Sequence, residues 1–593
     1  MKNISLLLFL GILSIQAIAQ SIHHELSMPQ PETHYFHVET TLTDFDEESV
    51  VMSMPVWTPG SYLVREFSKN INRVRATDDK GNDLLVQKIR KNKWMITTKG
   101  AKKVTVKYEV YAFELTVRTS FLDRTHGYLN GTSIFMYPEG NMDMKGKLTV
   151  IPHESFSKIT TALPKAGDGE QSDRGTTFAF ENYDQLVDSP MEIGNQETFS
   201  FDAAGVKHHV AMYGPGNYNV DRLKRDMAKI IEAATAVFGE NPNKEYWFII
   251  HNTNVGSGGL EHKTSTTLNV NRWTYDGSDY LGFLSLVAHE YFHLWNVKRL
   301  RPKSLVDYDY DNENYTDLLW VMEGFTSYYD ELLLRRAGFY TEEDYLRRFK
   351  STLNWVESST GNRVQPVAHA SYDAWIKAYR PNENSRNTTI SYYSKGSLVA
   401  VTIDAMIIEE TKGKKSLDDF MQTLYKKYYK DENTGMTPEQ FQETLEEFVG
   451  KDLDQFFNSY VYGTETVPYN DYFDVLGLEI ELIQEDRLAL GASLSQAGGQ
   501  LTVRSVTSNS PAEKGGLSPN DEIIAFNGFR VDERDLTQFL NTLNVGDEFN
   551  LIISRDKQLM TLDMVMGLIE SPRYDFTYKE NDLGSFWLRE QMK

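Results

Sequence analysis

Cysteine is absent from the 593 residues. That excludes disulfides, thiolate metal sites, a cysteine nucleophile and a lipid-modified N-terminal cysteine. Positive charge is scarce: 61 Lys and Arg stand against 84 Asp and Glu, a net charge of −23. This balance argues against nucleic acid or an anionic membrane as the main partner, since phosphates want a basic face. Beyond the first twenty residues, no stretch reaches the roughly 18 apolar residues that a membrane-spanning helix needs. What is present is ordinary for a folded protein: 40% hydrophobic and 24% charged residues, a composition that argues against a disordered or coiled-coil chain. The length is too great for one hydrophobic core and implies about three to four domains. The 33 Tyr, 31 Phe and 9 Trp suit β-rich cores or peptide-binding surfaces alike.

Lys2 gives a positive start, residues 6–15 form an apolar run, and Ala17-Ile18-Ala19 offers the small residues that a signal peptidase reads. These features predict a signal peptide over 1–19, cleaved before Gln20, and a mature protein that is periplasmic or secreted. The alternative is an uncleaved anchor, for which the run is short.

From 20 to 205 the pattern is β-branched and alternating, as at 38–43, 104–110 and 148–151, with Gly, Asn and Asp between, so an all-β domain is expected. The pattern changes near 218. Residues 220–238 carry apolar residues on one helical face and end at Gly239; 246–250 read as a buried strand. Helical patterns then dominate at 281–297, 318–337, 398–411 and 438–449. The stretch 206–470 is therefore expected to be an α+β domain with a helical C-terminal part. After 470, short strands return. Ala489-Leu490-Gly491-Ala492, Ser510-Pro511-Ala512, Gly516-Leu517 and Asp521-Glu522-Ile523-Ile524, followed by Asn527-Gly528, occur in that order and resemble a PDZ domain over 471–570. The resemblance implies a peptide added as a strand, its terminal carboxylate held by backbone N–H groups at Leu490, Gly491 and Ala492. Residues 571–593 read as a tail.

His289-Glu290-Tyr291-Phe292-His293 is an H-E-x-x-H pattern inside a helical run. Four residues apart on a helix, His289 and His293 point to one face and can reach one ion. Glu290 is turned aside, where it can take a proton from a metal-bound water. Imidazole ligands favour Zn²⁺ over Mg²⁺ or Ca²⁺. A catalytic zinc needs a third protein ligand and an open position. Glu323, opening a second helical run, is the candidate, with Asp317 and Glu313 in reserve. One Zn²⁺ per chain is expected.

Several segments carry a family resemblance. Glu323-Gly324-Phe325 looks like the E-G-F segment of gluzincin peptidases, where the glutamate is the third ligand. Gly258-Gly259-Leu260-Glu261-His262 resembles the G-x-M-E-N segment of zinc aminopeptidases, with His262 where those enzymes have Asn. The resemblance implies substrate binding by Gly259, Glu261 and His262, with Glu261 pairing the free α-ammonium. Tyr393-Ser394-Lys395-Gly396 resembles a Y-E-K-G segment whose tyrosine hydrogen-bonds the developing oxyanion; Tyr392 is its adjacent alternative. Residues 55–67 and 293–302 add to the match. Together they resemble the PDZ-bearing glycyl aminopeptidase family of zinc metallopeptidases, of gluzincin type. This implies, in order, an N-terminal β domain, a thermolysin-like catalytic domain and a PDZ domain, with a preference for N-terminal Gly or Ala. The expected partners are peptide or protein substrates and a peptide C-terminus at the PDZ domain. The two alternatives are a zinc endopeptidase guided by its PDZ domain and a non-catalytic peptide-binding scaffold or chaperone.

Overall fold

The computed structural model describes residues 20–45, 47–167, 171–172 and 175–590. The expected signal peptide lies outside the described residues. Among the described residues, no helix is long and apolar enough to cross a membrane. The chain divides into two compact units.

The first unit is the expected β domain. An eleven-stranded sheet has Tyr35–Thr43 near its middle, between Lys103–Tyr111 and Ser21–Ser27. The alternation of Tyr35–Thr43 puts Phe36, Val38, Thr40 and Leu42 on the buried face, as a period of two requires. A four-stranded sheet runs Lys158–Thr160, Met191–Gly194, Gly127–Leu129, Phe121–Leu122. Residues 57–65 and 116–118, expected within this β domain, cluster instead with the second unit.

The second unit opens on a five-stranded sheet ordered Glu197–Ala203, Val206–Tyr213, Glu245–Thr253, Ser265–Asn271, Gly259–Glu261. Glu197–Ala203 pairs with Val206–Tyr213 throughout, so the sheet begins ahead of the change expected at residue 206. Helix Val220–Phe238 has the expected bounds. The Asn219 side chain accepts from the Arg222 amide at its start, and Gly239 ends it with φ 74°, the left-handed conformation that glycine adopts without strain. Leu223, Met227, Ile230, Ile231 and Val237 form its buried face.

Helix Gly277–Phe292 carries the histidines. It stops short of the expected residue 297, because the Lys298 amide bonds the His293 carbonyl and Val297 turns to φ 97°. The buried Arg299 donates to the free Leu294 carbonyl at 2.6 Å. A π-helical turn, Trp320–Gly324, leads into helix Phe325–Arg336. Helix Tyr392–Glu410 crosses this turn so closely that a Cβ on Gly324 would sit 2.5 Å from the Gly396 Cα, and one on Gly396 would sit 2.6 Å from the Trp320 carbonyl oxygen. Only glycine fits at either position.

The PDZ fold is present, its sheet ordered Ala492–Ala497, Gln500–Val506, Glu522–Phe526, Glu548–Arg555, Gln558–Val565. Leu490, Val503, Ala512, Ile523, Phe526, Leu536 and Leu551 lie in its core. Of the expected tail over 571–593, the described residues 571–590 are largely structured. Strand Leu568–Tyr578 pairs with Leu478–Leu488 as a two-stranded ribbon flanking the PDZ domain. Helix Asp582–Trp587 then returns to the catalytic helices, where Trp587 is 1% exposed and donates its indole N–H to Tyr328 Oη at 2.9 Å.

Trp587→Ala should therefore destabilise the second unit by about 3–5 kcal/mol, the usual cost of emptying a buried tryptophan site. Chemical denaturation followed by tryptophan fluorescence and far-UV circular dichroism measures it; a midpoint unchanged from the parent would show that the C-terminal helix is not part of the core.

Candidate active site

His289 and His293, one helical turn apart, present their rings to Glu323, which the π-helical turn carries in from the opposite side. Glu323 Oε2 lies 3.3 Å from His289 Nε2 and 3.2 Å from His293 Nε2. The three ligand atoms fall within 4.8 Å of one another. The reserve ligands Asp317 and Glu313 are not in this cluster.

The other ring nitrogens are already engaged. His289 Nδ1 is 2.8 Å from Asp330 Oδ2, and His293 Nδ1 is 2.9 Å from the Asn296 carbonyl oxygen. These acceptors hold a proton on each Nδ1 and point both Nε2 atoms toward Glu323, where each would give its lone pair to a metal. Burial opposes charge on His289, but Asp330 and Glu323 outweigh it and raise its pKa well above the ordinary value. Burial likewise opposes charge on His293, where Glu323 prevails. Burial would raise Glu323, yet the two imidazoles bring it below the usual carboxylate range. A cluster that must otherwise hold protons among two imidazoles and a carboxylate suits a divalent cation of borderline softness.

Two ties hold the ligand segments together. Asn296 Nδ2 donates to the Val321 and Met322 carbonyls, each at 3.0 Å, joining the end of the histidine helix to the turn that carries Glu323. The glycine crossing at 324 and 396 sets that turn against the helix that begins at Tyr392.

Glu290 is buried, and one of its carboxylate oxygens has no hydrogen-bond partner among the described residues. Burial, the largest effect, raises its pKa. Strand Gly259–Glu261 runs directly over it: a Cβ on Gly259 would lie 2.3 Å from the Glu290 carboxyl carbon. The strand's alternation turns Gly259 and Glu261 to the same face. Both line the cleft of about 700 Å³ that also contains His289, His293, Glu290, Glu323 and Tyr393. Glu261 is 4% exposed and has no ion-pair partner among the described residues. The Gly60 backbone presses on it, where a Cβ would be 2.5 Å from Glu261 Oε1.

His262 departs from expectation. It falls on the opposite face of the strand, is buried, and is not part of the cleft wall. The substrate contact expected for it is not what this placement provides. Tyr393 lines the cleft, its ring 6.2 Å from that of His289. Tyr392 stacks behind it at 4.7 Å, outside the cleft wall. Leu490, Gly491 and Ala492 line a separate groove of the PDZ domain.

Asp330, Asn296, Gly60 and Arg118 were not anticipated. Asp330 lies two helical turns beyond Glu323 and so on the same face, a spacing visible in the sequence. Arg118 donates to the Gly259 carbonyl at 3.4 Å from a segment 141 residues away, and nothing local announces it.

Family comparison matches residues 23–195 to the peptidase M61 N-terminal domain, 282–399 to M61 glycyl aminopeptidase and 489–565 to a PDZ domain. The chain is similar to a crystal structure of an aminopeptidase N family protein from Idiomarina loihiensis, with 31% identity and a TM-score of 0.89, covering 96% of this chain and 100% of that one. The chain belongs to the M61 glycyl aminopeptidase family. It is also similar to an M1 zinc metallopeptidase from Deinococcus radiodurans, at 13% identity and a TM-score of 0.49 over 76% of this chain and 94% of that one; nothing about the peptidase rests on that likeness. A curated relative from Staphylococcus saprophyticus, named a probable CtpA-like serine protease, is 26% identical over 174 residues, 29% of this chain and 32% of that protein. The chain thus spans about a third of the length of the curated relatives it matches.

Asp330→Asn should weaken metal affinity about 10- to 100-fold, as loss of a partner behind a ligating histidine does. Competition with a chromophoric chelator measures it, and parental affinity in the variant would remove Asp330 from the ligand support.

Proposed function

We propose that the enzyme is an exported aminopeptidase that removes small N-terminal residues, Gly or Ala, with one zinc ion held by His289, His293 and Glu323. The ligand atoms converge, both imidazoles have the tautomer fixed by a second acceptor, and these features support the fit. When bound, the zinc polarises the scissile carbonyl and brings the pKa of a water toward neutrality. Glu290 accepts a proton from the attacking water at its carboxylate and returns it to the leaving amine nitrogen. Tyr393 Oη donates to the carbonyl oxygen as negative charge builds on it.

The observation that carries the aminopeptidase reading over the endopeptidase one is Glu261. A buried carboxylate with no ion-pair partner among the described residues, on the cleft wall and on the same strand face as Gly259, is placed to receive a cation from outside. A peptide's α-ammonium supplies that charge and fixes which carbonyl reaches Glu290. Support for a small first residue comes from the Gly60 backbone pressed on Glu261 and from the buried Tyr62 and half-buried Tyr379, both of which feel the charges of Glu261 and Glu323. The expected signal peptide supports export.

Glu290→Gln should keep the metal and lose nearly all turnover, because an amide cannot accept the proton; steady-state kinetics on a metal-loaded variant checks it, and parental turnover would remove Glu290 from that role. Tyr393→Phe should lower kcat about 10²- to 10³-fold; the same loss in Tyr392→Phe instead would reassign the donor.

Glu261→Ala should raise KM for free peptides and narrow the gap between free and N-acetylated ones. Comparing Gly- and Ala-headed peptides in both forms provides the measurement. Equal cleavage of acetylated and free peptides by the parent would favour the endopeptidase reading.

A further inference from the structure

Two arginines line the catalytic cleft, Arg118 and Arg348. Arg348 already pairs with Glu331 at 3.1 Å. Arg118 has no carboxylate partner among the described residues. Its guanidinium donates to the Gly259 carbonyl at 3.4 Å, and its buried Nε has no hydrogen-bond partner among the described residues. A neighbouring groove of about 660 Å³ shares Arg118 and Tyr393 with the cleft. It adds Arg65, Lys377 and Arg386 to its walls and no carboxylate, so nothing lining that side offsets the charge of Arg118 either. In a chain of net charge −23, a half-buried cation left unmatched beside the reaction centre calls for an anion from outside.

The strand that Arg118 touches says where along a substrate that anion lies. Gly259–Glu261 is the outermost strand of its sheet. The Asn269 amide donates to the Gly258 carbonyl at 2.9 Å, and Gly259 stands opposite Leu268. Antiparallel pairing alternates, so the N–H and C=O of Gly259 point outward from the open edge. Arg118 meets that outward carbonyl. Glu290 lies beneath the same glycine, and Glu261, assigned to the α-ammonium, stands two residues along the strand.

At the usual rise, positions 259 and 261 are about 7 Å apart. Two extended peptide residues span at most about 7 Å. A peptide anchored by its ammonium at Glu261 and attacked above Glu290 therefore brings its second residue to Arg118. Elsewhere the cleft wall carries Glu261, Glu290, Glu323 and Asp330, which repel a carboxylate. Arg118 is the one place on that wall where an unmatched positive charge receives it.

We propose that Arg118 is a specificity-determining residue that takes a carboxylate on the second residue of the substrate. That group is the terminal carboxylate of a dipeptide or the side chain of an Asp or Glu at the second position of a longer peptide. One guanidinium nitrogen stays on the Gly259 carbonyl, and the remaining N–H groups are the donors for the carboxylate. A dipeptide is then held at both ends, its ammonium at Glu261 and its carboxylate at Arg118. The register rests on the aminopeptidase reading.

The test compares Ala-Ala with its C-terminal amide, and the amide of Ala-Glu with that of Ala-Gln. Binding is measured by isothermal titration calorimetry on the metal-loaded full chain carrying Glu290→Gln, and kcat/KM on the active chain. Each charged peptide should exceed its neutral partner about tenfold, the scale of a charge-assisted contact. Arg118→Gln should abolish both preferences, with Arg118→Lys between. A role confined to holding Gly259 would lower all four peptides together and leave the ratios unchanged. A preference in only one pair, lost in Arg118→Gln, would identify the source of the carboxylate and support the proposal. Equal handling within both pairs by the parent, or parental ratios in Arg118→Gln, would overturn it. N-acetyl-Ala-Ala separates the two readings. If it is bound and cut as Ala-Ala is while the ratios still depend on Arg118, the aminopeptidase reading fails and the carboxylate contact stands.

Discussion

The backbone contact between Gly324 and Gly396 is the constraint on which the catalytic geometry depends. At this crossing the chain bearing Glu323 and the chain bearing Tyr393 approach until no side-chain carbon fits between them. Close packing without side chains leaves little freedom to slide, since interiors are packed as densely as crystals. One contact therefore sets the third ligand against the candidate oxyanion donor. The π-helical turn at Trp320–Gly324 adds a local widening at the position where Glu323 must project, as such turns do at functional sites.

Hydrogen bonds then orient what packing has brought together. Asn296 ties the end of the histidine helix to the Glu323 turn, and Asp330 and the Asn296 carbonyl fix the two imidazoles. Each link lies in buried surroundings, where an unmet polar group is costly and a satisfied one is rigid. The exception is Glu290, which lies beneath Gly259 on the cleft wall and has one carboxylate oxygen without a partner among the described residues. The site thus spends its polar partners on the ligands and leaves the group assigned to proton transfer free for it.

Much of this was legible because it is local. Spacing alone put His289 and His293 on one helical face. Helices Val220–Phe238 and Pro438–Val449 kept their expected bounds, since Asn219, Thr437, Gly239 and Gly450 cap them within a few residues. What was not legible depends on distant pairing. Residues 57–65 and 116–118 join the second unit from far upstream, which no periodicity in the first two hundred residues reveals. The strand at Leu568–Tyr578 finds its partner across the whole PDZ domain, so residues 571–593 looked like a tail. His262 is a different case: alternation along Gly259–Glu261 already turns it from the cleft, and the family resemblance led elsewhere.

The returning helix at Asp582–Trp587 makes the PDZ domain an insertion in the peptidase. Helix Phe325–Arg336, which carries Asp330, is completed by an indole that follows the entire PDZ sequence. Chains fold broadly from the N-terminus as they emerge. A nascent chain therefore holds both histidines and Glu323 long before the core behind Asp330 can close. The order of emergence keeps hydrolytic capacity until last, after the peptide-binding module has taken shape, and a clip that removes the final helix would disarm the enzyme without touching a ligand.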